Sequence, residues 1–335
     1  MRIAIDAMGG DYAPESVIDG TIDALNDYDG FDVTLVGNLA ELKPYIEKYE
    51  LDRNPRIKLV HAEQVINMDD TSTASIRVKK HSSVTIAAEV VGRGEADALV
   101  TIGHTGAAVA ATKVRMRTLP GVERPAIAVV LPTKEGHSIL LDAGANVDCK
   151  PENLAQFAIM GEIYSKLVLG VKSPRIGLLS VGDEDIKGND VTKEAFKLLS
   201  KMPINFIGNI EGNDIFGENV DVIVCDGFVG NAILKACEGM SKAAMYWLKK
   251  AFTKNPFRIT TAILAQKAFA ELKEMGDKET YGGAPLIGIN GICIIGHGAS
   301  SPKAVKNAIK VAVDLVKKDM NDEILRRLKE SNAIM

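Results

Sequence analysis

The sequence lacks the marks of several functional classes. No apolar run approaches the roughly eighteen residues needed to cross a bilayer, so any meeting with a membrane is expected at its surface. Positive charge is not in excess: 40 lysines and arginines stand against 44 aspartates and glutamates, a net charge of −4. That balance leaves no global basic field to hold nucleic acid. The four cysteines, Cys149, Cys225, Cys237 and Cys293, lie far apart and form no C-x-x-C pair. They read as free thiols of a reducing cytoplasm, with Cys225 as inert packing in an apolar strand. Met1 runs straight into the strand-like RIAID, which leaves no leader to read as a signal peptide. There is no G-x-x-x-x-G-K-[ST], no H-E-x-x-H and no G-x-S-x-G. A P-loop nucleotide, a catalytic zinc and a hydrolase elbow are therefore not expected, and neither metal nor cofactor is called for. The GHGASS stretch from Gly296 matches a dinucleotide fingerprint only weakly, because Ser301 stands in place of its third glycine.

What is present points to an α/β protein. With 335 residues, 46% of them apolar and 25% charged, the chain can bury a sizeable core as one large or two intertwined α/β domains. Strand patterns at 2–6, 31–37 and 56–61 alternate with helical ones, including Leu39 to Tyr49, and this spacing predicts βαβ units in a largely parallel sheet. Val222 to Val224 reads as a strand covered on both faces, since β-branched residues follow one another without polar alternation. A turn on Asp226, Gly227 and Gly230 follows it, with a helix opening near Asn231. Taken alone, this stretch reads equally as a phosphate cradle and as an ordinary βα turn.

Repetition favours the cradle. Glycine-containing polar turns close at least five strands, near Gly9 and Gly10, at Gly103 to Gly106, around Lys187, at Asp226 to Gly230 and at Gly296 to Gly298. In a doubly wound sheet such ends gather along one edge, where helix N-termini point unpaired N–H groups and a positive dipole at an anion. Lys187 stands among Asp183, Glu184 and Asp185, which fits a weak surface ion pair or, by its place after a strand, a ligand contact. Arg77, Lys79 and Lys80 form a basic cluster that reads as a solvated face if taken alone. A helix hairpin is expected over 239–276, broken at Asn255-Pro256. It carries Trp247, Phe252, Phe257 and Ile263, suited to a partner helix of a homodimer or to a membrane-surface tip.

Six motifs stand in an order and spacing that resembles one family. IDAMGGDYAPE, GHTGA, LLDAGANVDCKPE, EDIKGND, CDGFVGN and YGGAPLIGINGICIIGHG are similar to those of the bacterial acyl-carrier-protein:phosphate acyltransferases, the PlsX family. The resemblance runs from about Ile3 to Val316. It implies a three-layer α/β/α fold like the isocitrate and isopropylmalate dehydrogenases, with one large mixed, mostly parallel sheet and two intertwined subdomains forming a single catalytic unit. It further implies a cytoplasmic homodimer held peripherally at the membrane. The implied reaction moves a long-chain fatty acyl group from acyl carrier protein to inorganic phosphate, and the acyl phosphate then feeds a glycerol-3-phosphate acyltransferase of phospholipid synthesis.

Such a reaction needs alignment of phosphate with a thioester and donors for the developing oxyanion, without a covalent enzyme intermediate. Lys187, Asn231 and the N–H groups of Gly227 to Gly230 are expected on phosphate or the oxyanion, with Asp226 and Asp6 orienting neighbours. His104, Thr105 and Gly106 would lie at the facing turn, with Gly9, Gly10, Asn146 and Gly298 also lining the site. Arg77, Lys79 and Lys80 would meet phosphate or the acidic carrier protein. His297 is a candidate donor to the departing sulfur, or a structural turn residue.

Overall fold

The computed structural model describes residues 1–67, 70, 76, 78–275 and 282–332. Its first half alternates β1 (Arg2–Asp6), α1 (Glu15–Asp27), β2 (Asp32–Gly37), α2 (Leu39–Tyr49), β3 (Ile57–His61), α3 (Ser83–Gly92), β4 (Ala98–Ile102) and α4 (Thr105–Arg115). An antiparallel pair follows, β5 (Ala126–Thr133) and β6 (Gly136–Leu141). Then come α5 (Pro151–Tyr164) with a π turn to Leu169, β7 (Ile176–Leu179), α6 (Asp190–Leu199), β8 (Phe206–Ile210) and β9 (Val222–Val224). Three helices, α7 (Gly227–Phe252), α8 (Pro256–Leu264) and α9 (Gln266–Met275), lead to β10 (Ala284–Ile287), β11 (Ile292–Gly296), α10 (Pro302–Lys317) and α11 (Met320–Asn332).

One sheet of 11 strands, in the order β3-β2-β1-β4-β11-β10-β5-β6-β9-β7-β8, holds all of them. Hydrophobic residues line both of its faces in two large clusters, one around Ile5, Leu35, Phe157 and Ile294, the other around Leu99, Leu140, Ile223 and Cys293. The central strands are buried on both sides, as their unbroken apolar runs require; β9 is buried at every residue. The mixed, mostly parallel character is as expected. β3, β2, β1, β4 and β11 run parallel, as do β6, β9, β7 and β8.

Between these blocks the pairs β11–β10, β10–β5 and β5–β6 are all antiparallel. Three reversals leave the two blocks pointing in opposite directions. The expectation that all the glycine turns share one edge is therefore corrected. β1, β4 and β11 end on one edge, and β6, β9 and β7 end on the other. Register confirms it, for the row through Ala98 at the start of β4 passes through Ile292 and, by way of β10 and β5, reaches the end of β6.

The opening of the long helix is corrected as well. α7 begins at Gly227, four residues before the expected Asn231, because the Asp226 carboxylate caps it by accepting from Val229 N at 2.8 Å. Asn255 caps α8 by accepting from Arg258 N, and Pro256 takes its first position. The second arm breaks again at Ala265, between α8 and α9.

A buried charge fixes the C-terminal helix to this frame. Glu162 of α5 is buried; it accepts from Lys166 Nζ at 2.6 Å and from Arg327 Nε of α11 at 3.0 Å. Removing one partner leaves part of a buried carboxylate uncompensated. Arg327→Ala is expected to cost about 2 kcal/mol of stability, measured by urea denaturation, while Arg326→Ala on the exposed neighbour changes little.

Candidate active site

Three turns meet beyond β1, β4 and β11. Asp6 ends β1, is buried, and accepts from Thr101 Oγ1 at 2.7 Å and Met8 N at 3.3 Å. A Cβ on Gly9 would lie 2.2 Å from Ile102 O, so only glycine lets the first turn rest against β4. Gly10 packs against Gly298, whose carbonyl accepts from Asp11 N at 2.8 Å. His104 caps α4, its Nδ1 accepting from Ala107 N at 3.2 Å, and leaves exposed Thr105 and half-buried Gly106 as the first helical residues. His297 is exposed and its Nδ1 accepts from Ala299 N at 3.2 Å. The structure thus brings Asp6, Gly9, Gly10, His104, Thr105, Gly106, His297 and Gly298 to one junction.

Two members of the basic cluster are described. Arg77 lies outside the described residues. Lys79 is turned inward, its Nζ held by Asp70 Oδ2 at 2.5 Å and Val65 O at 2.9 Å. The ammonium in turn holds the Asp70 carboxyl below the usual carboxylate range. Lys80 is exposed.

The second group closes β6, β9 and β7, and its hub is Asp142. This carboxylate is fully buried and accepts from five donors: Ile127 N, Gly144 N, Ala145 N, Asn146 N and Asn146 Nδ2, all at 2.8–3.1 Å. Asn146 Nδ2 also donates to Pro125 O at 2.7 Å, so its amide hydrogens already face protein acceptors. The chain from β9 presses on this hub. A Cβ on Gly230 would sit 1.9 Å from Asp142 O, and one on Gly227 would sit 2.6 Å from Asn146 O. Neither glycine has positive φ; close approach, not an unusual turn conformation, is the reason for both. Three of the four amides expected to cradle phosphate are engaged within the protein. Gly227 N donates to Asn146 O, Val229 N to Asp226 Oδ1 and Gly230 N to Asp226 O.

Of the site residues expected from the sequence, Lys187 and Asn231 reach solvent at this edge. Asn231 is exposed and stands over Gly144. Lys187 is half-exposed, its Nζ 3.9 Å from Glu184 Oε1, a separation at which an exposed pair contributes little. Its turn is held by Lys187 N donating to Glu184 O and by Asn209 Nδ2 donating to the same carbonyl. The cysteines offer no nucleophile here: burial pushes the Cys225 thiol far up and the Cys149 thiol up to about 11.

The two groups stand on opposite edges of the sheet. β4 and β9 are five strand steps apart, about 24 Å at about 4.8 Å per step. Sequence reasoning missed the central place of Asp142. The signal was present: a carboxylate in LLDAGAN directly after an apolar strand is a ready acceptor for the amides of the following turn.

Burial pushes the Asp6 carboxyl above its ordinary range, outweighing its hydrogen bonds. The folded chain therefore holds this proton more tightly than the unfolded one. The resulting stabilisation is complete below the ordinary value of 3.8 and declines as pH rises through the folded value. Asp6→Asn is expected to remove that decline. In urea titrations from about pH 4 to about pH 7, the stability difference should move in the variant's favour as pH rises; parallel curves would show that Asp6 does not titrate in this window.

Comparison with known proteins agrees with this architecture. Residues 1–323 match the family described as "Fatty acid synthesis protein". The chain is 48% identical to the phosphate acyltransferase of Nitratiruptor sp., covering 98% of each chain. It is 45% identical to the phosphate acyltransferase of Leptospira biflexa, covering 100% of this chain and 99% of the relative. In fold it is similar to a phosphotransacetylase from Streptococcus pyogenes, with a TM-score of 0.62 at 15% identity over 95% of this chain and 94% of the other. The EutD phosphotransacetylase from Staphylococcus aureus gives a TM-score of 0.57 at 16% identity, covering 94% of each chain. On its near full-length identity with these relatives, the chain belongs to the fatty acid synthesis protein family and is an acyltransferase whose acyl acceptor is phosphate.

Proposed function

We propose that the chain transfers a long fatty acyl group from acyl carrier protein to inorganic phosphate, at the edge where β6, β9 and β7 end. The observation that carries this placement is that half-exposed Lys187 and exposed Asn231 follow the neighbouring strands β7 and β9. Phosphate is already ionised near neutral pH, and a thiolate derived from a thiol of pKa about 8.5 is a tolerable leaving group. Direct attack of a phosphate oxygen on the thioester carbon therefore needs no enzyme nucleophile, in keeping with the raised thiols of Cys149 and Cys225. Lys187 supplies charge to phosphate or to the developing oxyanion, and Asn231 supplies an amide donor. Asp226 acts as a positioning residue, by capping the helix that presents Asn231.

The product, an acyl phosphate, suits a downstream glycerol-3-phosphate acyltransferase. Incubating the protein with acyl-carrier-protein and CoA thioesters, each with and without phosphate, tests the reaction. Thiol release is expected only with phosphate and faster from the carrier protein; release preferring CoA would assign a phosphotransacetylase instead. Lys187→Ala is expected to lower the phosphate-dependent rate at least about tenfold, a loss of about 1.4 kcal/mol of transition-state stabilisation, with unchanged thermal melting. A wild-type rate in that variant would remove Lys187 from the site.

The hairpin is the second part of this reading. α7 spans about 39 Å, yet its buried residues are only Gly227 and Gly230. Trp247 is 59% exposed, Phe257 77% and Ile263 65%, beside Lys249, Lys250, Lys254 and Arg258. Phe252 faces inward, edge-on to Phe269 with ring centroids 5.0 Å apart. Among the described residues no helix is long and apolar enough to cross a membrane. Apolar rings ringed by cations suit a tip that lies on an anionic bilayer, and the long bare helix behind it suits a second copy of the chain. Trp247→Glu with Phe257→Glu is expected to abolish flotation with anionic vesicles while soluble turnover stays near wild type. Unchanged flotation would count against membrane contact.

A further inference from the structure

The turn that carries Lys187 is built to hold one shape. Residues 184–187 close on themselves, with Lys187 N donating to Glu184 O at 2.9 Å. A Cβ on Gly182 would lie 3.1 Å from Lys187 Cγ, so the start of the lysine stem rests against the Gly182 backbone. Just after it, Gly188 has φ +110° and passes so near α6 that a Cβ there would meet Thr192 Oγ1 at 2.1 Å; only glycine meets both demands. These contacts are local and fix the shape of the turn. Its placement over the sheet needs a contact from farther along the chain.

That contact comes from Asn209 on β8. Its Nδ2 donates to the same Glu184 carbonyl at 2.9 Å, across 25 residues. Among the described residues no other hydrogen bond ties residues 181–188 to a distant part of the chain. Asn209 is in register with Leu178 of β7, so the brace joins the turn to the strand beside the one it leaves.

Stability alone does not account for an asparagine at this position. Asn209 is buried, only 7% exposed, and its Oδ1 has no hydrogen-bond partner among the described residues. A buried acceptor left unpaired costs stability, and an apolar side chain of similar size avoids that cost. What the amide supplies and a leucine cannot is the donor to Glu184 O, the carbonyl on which Lys187 N also closes.

We propose that Asn209 is a positioning residue for the transfer reaction, holding the Lys187 turn where the ammonium reaches phosphate or the developing oxyanion. The inference rests on the reading that Lys187 acts there, and deepens it. A donor must meet charge where that charge develops, and a displacement of about 1 Å forfeits much of its effect. Buried as it is, Asn209 acts through Lys187 and not on the substrate.

A double-mutant cycle on phosphate-dependent thiol release from acyl-carrier-protein thioester tests this. Asn209→Leu is expected to lower kcat about five- to tenfold, while KM for the acyl donor and thermal melting stay near wild type. In a Lys187→Ala background the same substitution is expected to change nothing further, because the side chain it positions is gone. A residue serving only the fold would instead multiply its loss onto that of Lys187→Ala. Asn209→Ala, which removes the donor without adding bulk, is expected to give the same kinetic pattern. A wild-type rate in Asn209→Leu, multiplied losses in the double variant, or failure of both Asn209 variants to fold would each overturn the positioning role and leave Lys187 in the site. A wild-type rate in Lys187→Ala, or no phosphate-dependent release from the wild-type protein, is a different result: it would remove the reading on which the positioning role rests.

Discussion

The Asp142 carboxylate is the constraint on which the second half of the molecule depends. A buried charge is tolerable only when donors surround it, and here five N–H groups from β5 and from the turn after β6 converge on its two oxygens. Satisfying that carboxylate fixes the path of residues 142–146. The fixed path then dictates what passes over it. The first turn of α7 lies so close to Asp142 O and Asn146 O that Gly227 and Gly230 leave no room for a side chain. Asn231, one residue later, is delivered to the edge above Gly144 as a consequence.

Polarity is the second constraint. An antiparallel excursion through β10, β5 and β6 reverses the sheet, so two families of strand ends face away from each other. The junction beyond β1, β4 and β11 is rich in glycine contacts and helix starts, but its histidines serve as turn and helix caps and Lys79 is engaged by Asp70. At the edge beyond β6, β9 and β7 the amides of Gly227, Val229 and Gly230 are engaged within the protein, and Lys187 and Asn231 are exposed. In the proposed reaction, chemistry there falls to Lys187 and Asn231.

The thiols and the carboxylates behave as burial dictates. Cys225 and Cys293 are packed at the sheet and kept protonated by burial. Asp6 and Asp142 occupy related places, each a carboxyl at the end of a buried strand that gathers donors from the next turn. Each is pushed up by desolvation and pulled back by its hydrogen bonds.

Much of the fold was legible in the sequence. Apolar runs bounded by glycine and polar turns located the strands, Leu39–Tyr49 emerged with the bounds its pattern suggests, and Asn255, Ser301 and Pro302 took the capping positions their chemistry favours. These are local matters, set by backbone preference and by hydrogen bonds a few residues long. Family membership was legible too, because it rests on motifs in order along the chain. The tertiary structure decided the rest. Whether the turns of Thr105 and Lys187 share an edge depends on the number of antiparallel pairings between β4 and β9, and no local pattern counts them. Whether an amide can hold phosphate depends on what already accepts its hydrogen, and for Gly227 and Gly230 those acceptors are Asn146, 81 residues earlier, and Asp226, in the preceding turn. Sequence determines which groups are present and how each segment bends; long-range pairing determines which of them remain free to meet a substrate.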